Sequence, residues 1–238
     1  MADSAIPPAD DAPAVDTDPS YPPLPATSWA VLGMLTLGER LTGYDLKKWA
    51  DWSIGYFYWS PSISQIYAEL KKLEKAGFVT SEVVSEPGER GRRVYEITES
   101  GTHAVRSWSR DAPVDQPVLK HSLMLRMWMG HLNDTDHLKE LVRSHIANLE
   151  ERRDESRMHM ENADREPAWA YSVMSLAWSM KYFQAEIDLA RDLLDLIDEA
   201  AASFSKVSEL DPLGNPVPNE SGSWRRVEDY VEHLKHDS

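Results

Sequence analysis

The chain has 238 residues, enough for one or two domains, with ordinary apolar content (42%) and a formal net charge of −15. Zero cysteines exclude disulfides, thiolate metal sites and cysteine nucleophiles. No apolar run approaches the roughly 20 residues of a membrane span, and residues 1–26 have five Asp, no Lys or Arg and no apolar h-region, unlike a signal peptide; no membrane association and, by default, a cytoplasmic location are expected.

Residues 1–26 hold seven Pro and five Asp with few large apolar groups. They cannot bury enough surface to offset ordering, so a disordered tail is expected. Thr27 or Ser28 can cap a buried helix from Trp29 to about Leu37. Thr42 can cap a second helix, Gly43 to about Trp52, with Tyr44, Leu46 and Trp49 as its apolar residues and Lys47 and Lys48 on its exposed side.

The stretch from Ser60 to Ala76 is the most informative. Ser60 can cap a helix, Pro61 suits its first position, and Gly77 suits its end. Ile63, Ile66, Leu70 and Leu73 recur at three- and four-residue spacing as one buried stripe. The opposite face carries Ser64, Gln65, Ala68, Lys71 and Lys72. It is small and hydrogen-bonding near its start and cationic near its end, which suits base edges flanked by phosphate.

Two β-branched runs follow, at 78–85 and 93–98, joined by the Gly/Pro turn EPGERGR. They read as a hairpin whose tip holds Arg90, Arg92 and Arg93. A helix followed by a basic-tipped hairpin is the core of a winged helix-turn-helix; a helix packed on a hairpin that binds a protein partner has the same pattern. The net charge of −15 argues against nucleic acid at first sight, but its distribution matters more than its sum. Residues 28–110 hold eleven Lys/Arg against ten Asp/Glu, while the rest of the chain carries a net −16. Phosphate contact needs only a local cationic patch.

A fourth helix is expected from Thr98 to about Arg110, then a linker, DAPVDQP, at 111–117. Leu119 to Met129 is apolar on most sides and should be a buried helix. Asn133 or Asp134 caps a long helix to about Met160. A last long helix is expected from about Pro167 to Phe204. Within it Val173, Leu176, Met180, Phe183, Ile187, Ala190, Leu194 and Ile197 form a heptad seam. A seam this long points to a second copy of the chain, with an intrachain antiparallel pair as the alternative. Residues 205–222 read as a polar linker, and Trp224, Val227, Val231 and Leu234 give a short amphipathic helix.

These segments resemble the PadR family of bacterial transcriptional regulators. The resemblance rests on WAVLGMLTLGERLTGYDLKKW, SPSISQIYAELKKLEKAGFVTSEVV and GRRVYEITESG, over about residues 28–110. The long helical remainder is similar in architecture to the larger subgroup that includes the virulence activator AphA. The fold class expected is therefore mainly α: a winged helix-turn-helix at 27–110, and an antiparallel long-helix dimerisation domain at 118–204 followed by the 205–238 segment.

The resemblance implies a homodimer on a palindromic double-stranded operator, acting as a repressor. Ser64, Gln65 and Tyr67 are the expected base-proximal residues, although Tyr67 can equally pack on the second helix. Ser60 and Ser62 suit phosphate at the helix N-terminus. Lys47, Lys48, Lys71, Lys72, Arg90, Arg92 and Arg93 are the expected phosphate contacts. The dimer interface is expected at Val173, Leu176, Met180, Phe183, Ile187, Leu194 and Ile197.

No catalytic motif is present: no phosphate loop, no nucleophile elbow. An enzyme and a cofactor are not expected. His137 and His145 are eight apart, about 80° off around a helix, and no His-Glu-x-x-His occurs, so no metal site is expected either. The aromatic residues Trp128, Trp169, Trp178 and Tyr182 have two readings, core packing or a pocket for a small aromatic effector.

Overall fold

The computed structural model describes residues 20–85, 91–220, 222, 223, 225 and 226. The chain divides into two compact units, 1–116 and 117–238.

In the first unit, α1 (Ala26–Leu35) is hydrophobic nearly all round and buries Trp29, Val31, Leu32 and Leu35. It begins three residues before the expected start, on Pro25, without a side-chain cap. The end of the expected disordered tail is ordered against it: Tyr21 meets the Trp29 ring edge-on at 6.2 Å, and Leu24 packs on the core. The apolar surface of Tyr21 and Leu24 supplies what the Asp/Pro-rich residues before them lack. α2 (Gly43–Trp52) opens with a reciprocal cap: Thr42 Oγ1 accepts from the Asp45 N–H, and Asp45 Oδ2 accepts from the Thr42 N–H. It buries Leu46 and Ala50, but Tyr44 lies exposed rather than in the apolar stripe.

α3 (Ile63–Lys75) packs Ile66, Leu70 and Leu73 onto α1 and α2. Gly77, with φ of 78°, takes the left-handed position that ends it. β1 (Val79–Val84) and β2 (Arg92–Ile97) then pair antiparallel, with Val79 opposite Ile97 and Val84 opposite Arg92. Leu41 exchanges two backbone hydrogen bonds with Tyr95, adding a one-residue third strand. α4 (Glu99–Asp111), capped by Thr98, returns to α1, where Trp108 stacks on Trp29 at 5.0 Å. Gly101 permits that return, because a Cβ there would lie 2.2 Å from the Phe78 carbonyl oxygen.

The second unit is an antiparallel helical hairpin of α6 (Thr135–Ala163) and α7 (Ala170–Phe204), preceded by the short α5 (Ser122–Trp128). Its register is fixed by Lys139 to Asp198 at 2.6 Å, Arg191 to Glu150 at 3.0 Å and Arg153 to Gln184 at 2.6 Å. Two expectations change here. The heptad residues Leu176, Phe183, Ile187, Ala190 and Ile197 are buried within the chain, and Ala190 and Ile197 share a core cluster with Leu138 and Val142 of α6. Periodicity marks a face for burial without saying which helix covers it; α6 packs along α7, while Val173, Met180 and Leu194 of the seam stay partly exposed. The α5 segment is shorter than expected and largely uncovered. Only Leu123 is buried in it, while Leu119, Leu125 and Trp128 are exposed. Residues 210–216 form a tight turn held by Asp211 and Asn215; the expected helix at 224–236 lies outside the described residues save for two.

Candidate nucleic-acid interface

The exposed face of α3 is the centre of the candidate interface. The capping residue is Ser62, not Ser60: Ser62 Oγ accepts from the Gln65 N–H at 3.3 Å, and the Gln65 side-chain oxygen accepts from the Ser62 N–H at 2.8 Å. Glutamine three residues after the cap makes this pair reciprocal, which favours Ser62 over the serine before Pro61. Ser62 and Ser64 hydroxyls are 3.0 Å apart. Ser62, Ser64 and Gln65 therefore stand exposed together at the positive end of the helix dipole. Ile63, expected in the buried stripe, is exposed beside them.

Tyr67 leans over the start of α2. A Cβ on Gly43 would come within 2.6 Å of the Tyr67 ring, so glycine is what lets the two helices approach there. The ring stays half exposed, and both roles expected for Tyr67, packing and surface presentation, are compatible with this position. Beyond Gly43, Tyr44 is exposed and Lys48 Nζ sits 4.6 Å from its ring centroid. The pair extends the exposed surface of α2. Tyr44 was missed as a surface residue because its spacing matches the apolar stripe.

The expected cations fall into two groups. Lys71 and Arg92 are exposed, and neither has a side-chain partner among the described residues. The other described cations are engaged, Lys48 with the Tyr44 ring. Lys47 is paired with Asp51 and donates to Ser60 Oγ at 3.2 Å, while Ser60 Oγ donates to Asp51 at 2.6 Å. Burial pushes the Asp51 carboxyl up, but the Lys47 and Ser60 hydrogen bonds outweigh it and hold it below the usual carboxylate range. Lys72 donates to Glu69 at 2.6 Å, and Ser28 donates to the other Glu69 oxygen at 2.6 Å. Glu69 is buried, which raises its pKa; Lys72 and Ser28 reverse that and keep it ionised. Arg93 donates to Ser81, which in turn donates to Glu74. Arg90 lies outside the described residues.

The four aromatic candidates do not share one pocket within the chain. Trp178 stacks on Tyr182 at 5.6 Å along the middle of α7. Trp169 lies in the turn before α7. Trp128 instead lines a cavity of about 520 Å³ with Leu196, Ile197 and Phe204, at the far end of α7. At 1.5 Å per residue, Trp178 and Leu196 are about 27 Å apart along that helix.

No described helix is long and apolar enough to cross a membrane. The model of the transcriptional regulator PadR-like family matches residues 31–107. The negative transcriptional regulator PadR of Bacillus subtilis is 37% identical over 101 residues, covering 42% of this chain and 54% of that protein; the chain thus spans about half the length of that curated relative. The solved structure of Bacillus subtilis PadR in complex with operator DNA superposes with a TM-score of 0.63, at 22% identity, over 73% of this chain and 99% of that one. The structure of the same protein in complex with p-coumaric acid gives 0.56 at 23% identity over 72% and 98%. The Vibrio cholerae virulence activator AphA also gives 0.56, at 23% identity, over 74% and 99%. These likenesses confirm a winged helix-turn-helix followed by long packed helices.

Proposed function

We propose that this chain, whose residues 31–107 match the PadR-like transcriptional regulator family model, binds a two-fold symmetric operator as a homodimer and acts as a repressor. The observation that carries the reading is the start of α3, where Ser62, Ser64 and Gln65 stand exposed together beside Tyr67. Ser64, Gln65 and Tyr67 face bases, Ser62 meets phosphate with the helix dipole behind it, and Lys48, Lys71 and Arg92 hold the backbone. Lys47, Ser60, Lys72 and Arg93 contribute after exchanging an internal partner for phosphate. The winged helix occupies 27–110, 111–117 is the linker, and 118–204 carries dimerisation.

The second copy is accommodated by a different stripe of α7 from the one the heptads mark. Tyr171, Met174, Trp178, Tyr182, Leu189 and Leu196 are all exposed and recur at three-, four- and seven-residue steps. Apolar exposure along a 35-residue helix, together with uncovered Leu125 and Trp128 of α5, is the surface a partner helix pair would bury. The cavity beside Trp128 has the size and apolar lining for a small aromatic effector, in keeping with the p-coumaric acid bound by Bacillus subtilis PadR.

Gel retardation with DNA from upstream of the chain's own gene, at two salt concentrations and with competitor, tests the function. A competitor-resistant complex supports an operator-binding regulator. Only smeared, salt-sensitive retardation on every DNA tried favours a winged helix that serves a protein partner.

A further inference from the structure

Three titratable side chains that the sequence keeps far apart meet at one point of the second unit. His121 caps the N-terminus of α5, His145 lies on α6 and Glu186 on α7. The Nε2 atoms of both imidazoles converge on the same carboxylate oxygen, Glu186 Oε1, at 2.5 and 3.2 Å. Their ring centroids are 5.3 Å apart, and one ligand atom from each residue falls within 4.8 Å of the others. All three side chains are mostly covered, with 16%, 27% and 15% of their surfaces exposed.

We propose that His121, His145 and Glu186 form a binding site for a divalent transition metal of the zinc class, which ties α5 to the α6–α7 hairpin. The two imidazoles are of borderline softness and suit zinc and its neighbours, whereas calcium and magnesium take oxygen ligands; one carboxylate beside two imidazoles is a ligand set that zinc accepts. Three protein ligands leave a fourth tetrahedral position for water or an exogenous donor. Zinc binds nitrogen and oxygen at about 2.0–2.2 Å, which sets tetrahedral ligand atoms about 3.4 Å apart. The His145–Glu186 pair is already near that spacing, and the His121–Glu186 pair has to open by about 1 Å.

Loading has a defined proton cost. His121 Nδ1 accepts from the Met124 N–H at 3.2 Å, so a neutral ring carries its proton on Nε2. A metal on Nε2 shifts that proton to Nδ1 and gives up the cap to Met124. Glu186 Oε1, on which both imidazole Nε2 atoms converge, is the carboxylate atom that a metal would take. The metal replaces the two hydrogen bonds to Glu186 Oε1, and the His145 ring, like that of His121, then carries its remaining proton on Nδ1. His131, Phe204 and the Trp128 cavity lie at the opposite end of α5, so an occupied site fixes one end of the helix whose other end lines that cavity.

The test uses the metal-free full chain and zinc alone. Titration against a chromogenic zinc chelator should give one zinc per chain for the wild type. In Glu186→Gln and His145→Ala the dissociation constant should rise by about a hundredfold or more, since loss of an outer-sphere partner alone costs about 10–100-fold. Two readings on the unaltered chain keep the result independent of how the variants fold. Cobalt(II) should develop the intense visible absorption of a four-coordinate site, and zinc should protect His121 and His145, but not His103 or His159, from diethyl pyrocarbonate. Zinc binding no tighter than that of the Glu186→Gln chain, or modification of His121 and His145 unchanged by zinc, overturns the proposal and leaves a hydrogen-bonded cluster that only holds α5. Neither readout depends on DNA, so the site and the operator reading fail separately.

Discussion

Gln65 and Ser62 hold each other: the glutamine side-chain oxygen accepts the serine N–H at 2.8 Å while the serine hydroxyl accepts the glutamine N–H at 3.3 Å. The residue proposed to read a base is therefore also half of the cap that starts its own helix. Its amide N–H₂ group is left to point outward, while the oxygen is engaged. Replacing Gln65 by Ala should cost about 1 kcal/mol of stability from the lost cap and about 1–3 kcal/mol of discrimination between operator and a single-base variant. Denaturant melts and competition binding separate the two. A uniform loss on all sequences would show that Gln65 reads no base.

Asp51 withholds two groups from DNA. It pairs with Lys47 and accepts from Ser60, two of the residues proposed to meet phosphate. Asp51→Asn should free the lysine, tighten binding on all sequences and steepen the salt dependence by about one unit of slope. Arg92→Ala should do the reverse, weakening all sequences and flattening the slope by about 0.9. Binding isotherms at several salt concentrations distinguish these outcomes.

Glu69 links the start of α1 to α3 through Ser28 and Lys72. Its carboxyl titrates below its ordinary value of 4.5. The native state therefore binds protons less readily than the unfolded chain, and this stabilisation is complete above the unfolded value and lost as the pH falls through the folded one. The stability gap between wild type and Glu69→Gln, read as urea midpoints, should shrink as the pH is taken from about 7 to about 3. A gap that is constant with pH would show that the charge on Glu69 contributes nothing.

The two stripes of α7 should respond differently to substitution. Ile187 is fully buried in the hairpin, so Ile187→Ala should cost about 2–5 kcal/mol and lower the melting temperature. Leu189 is 65% exposed; Leu189→Glu should leave the protomer folded and convert dimer to monomer. Sedimentation velocity checks the second, and a dimer that survives Leu189→Glu would move the interface elsewhere.

Gly101→Ala should destabilise by about 1–3 kcal/mol, because the new methyl meets the Phe78 carbonyl oxygen, a backbone atom with no rotamer to change. Thermal melts give the value directly.

Much of this was legible in the chain itself. The three- and four-residue spacing of Ile66, Leu70 and Leu73, the Gly77 stop and the β-branched runs on either side of a Gly/Pro turn are local signals, and α3 and the hairpin follow from them. The cap was harder, since Ser60 and Ser62 flank Pro61 and only the reciprocal bond to Gln65 decides between them. The heptads of α7 reported a buried face, but the identity of the covering helix is a tertiary fact, and α6 rather than a second chain supplies it. His121, His145 and Glu186 carry no spacing signal at all, because only the packing of α5 on the α6–α7 hairpin brings residues 65 positions apart into contact.

The central claim is that paired α3 helices read one symmetric operator. Its most direct test is hydroxyl-radical footprinting of the full chain on DNA selected by it from a random pool. The account predicts two protected half-sites, related by two-fold symmetry and centred one helical turn or a multiple of it apart, about 34–36 Å per turn, with protection lost in a Ser64→Ala/Gln65→Ala double variant. Selection of no common sequence, or protection without symmetry that survives the double variant, would contradict it.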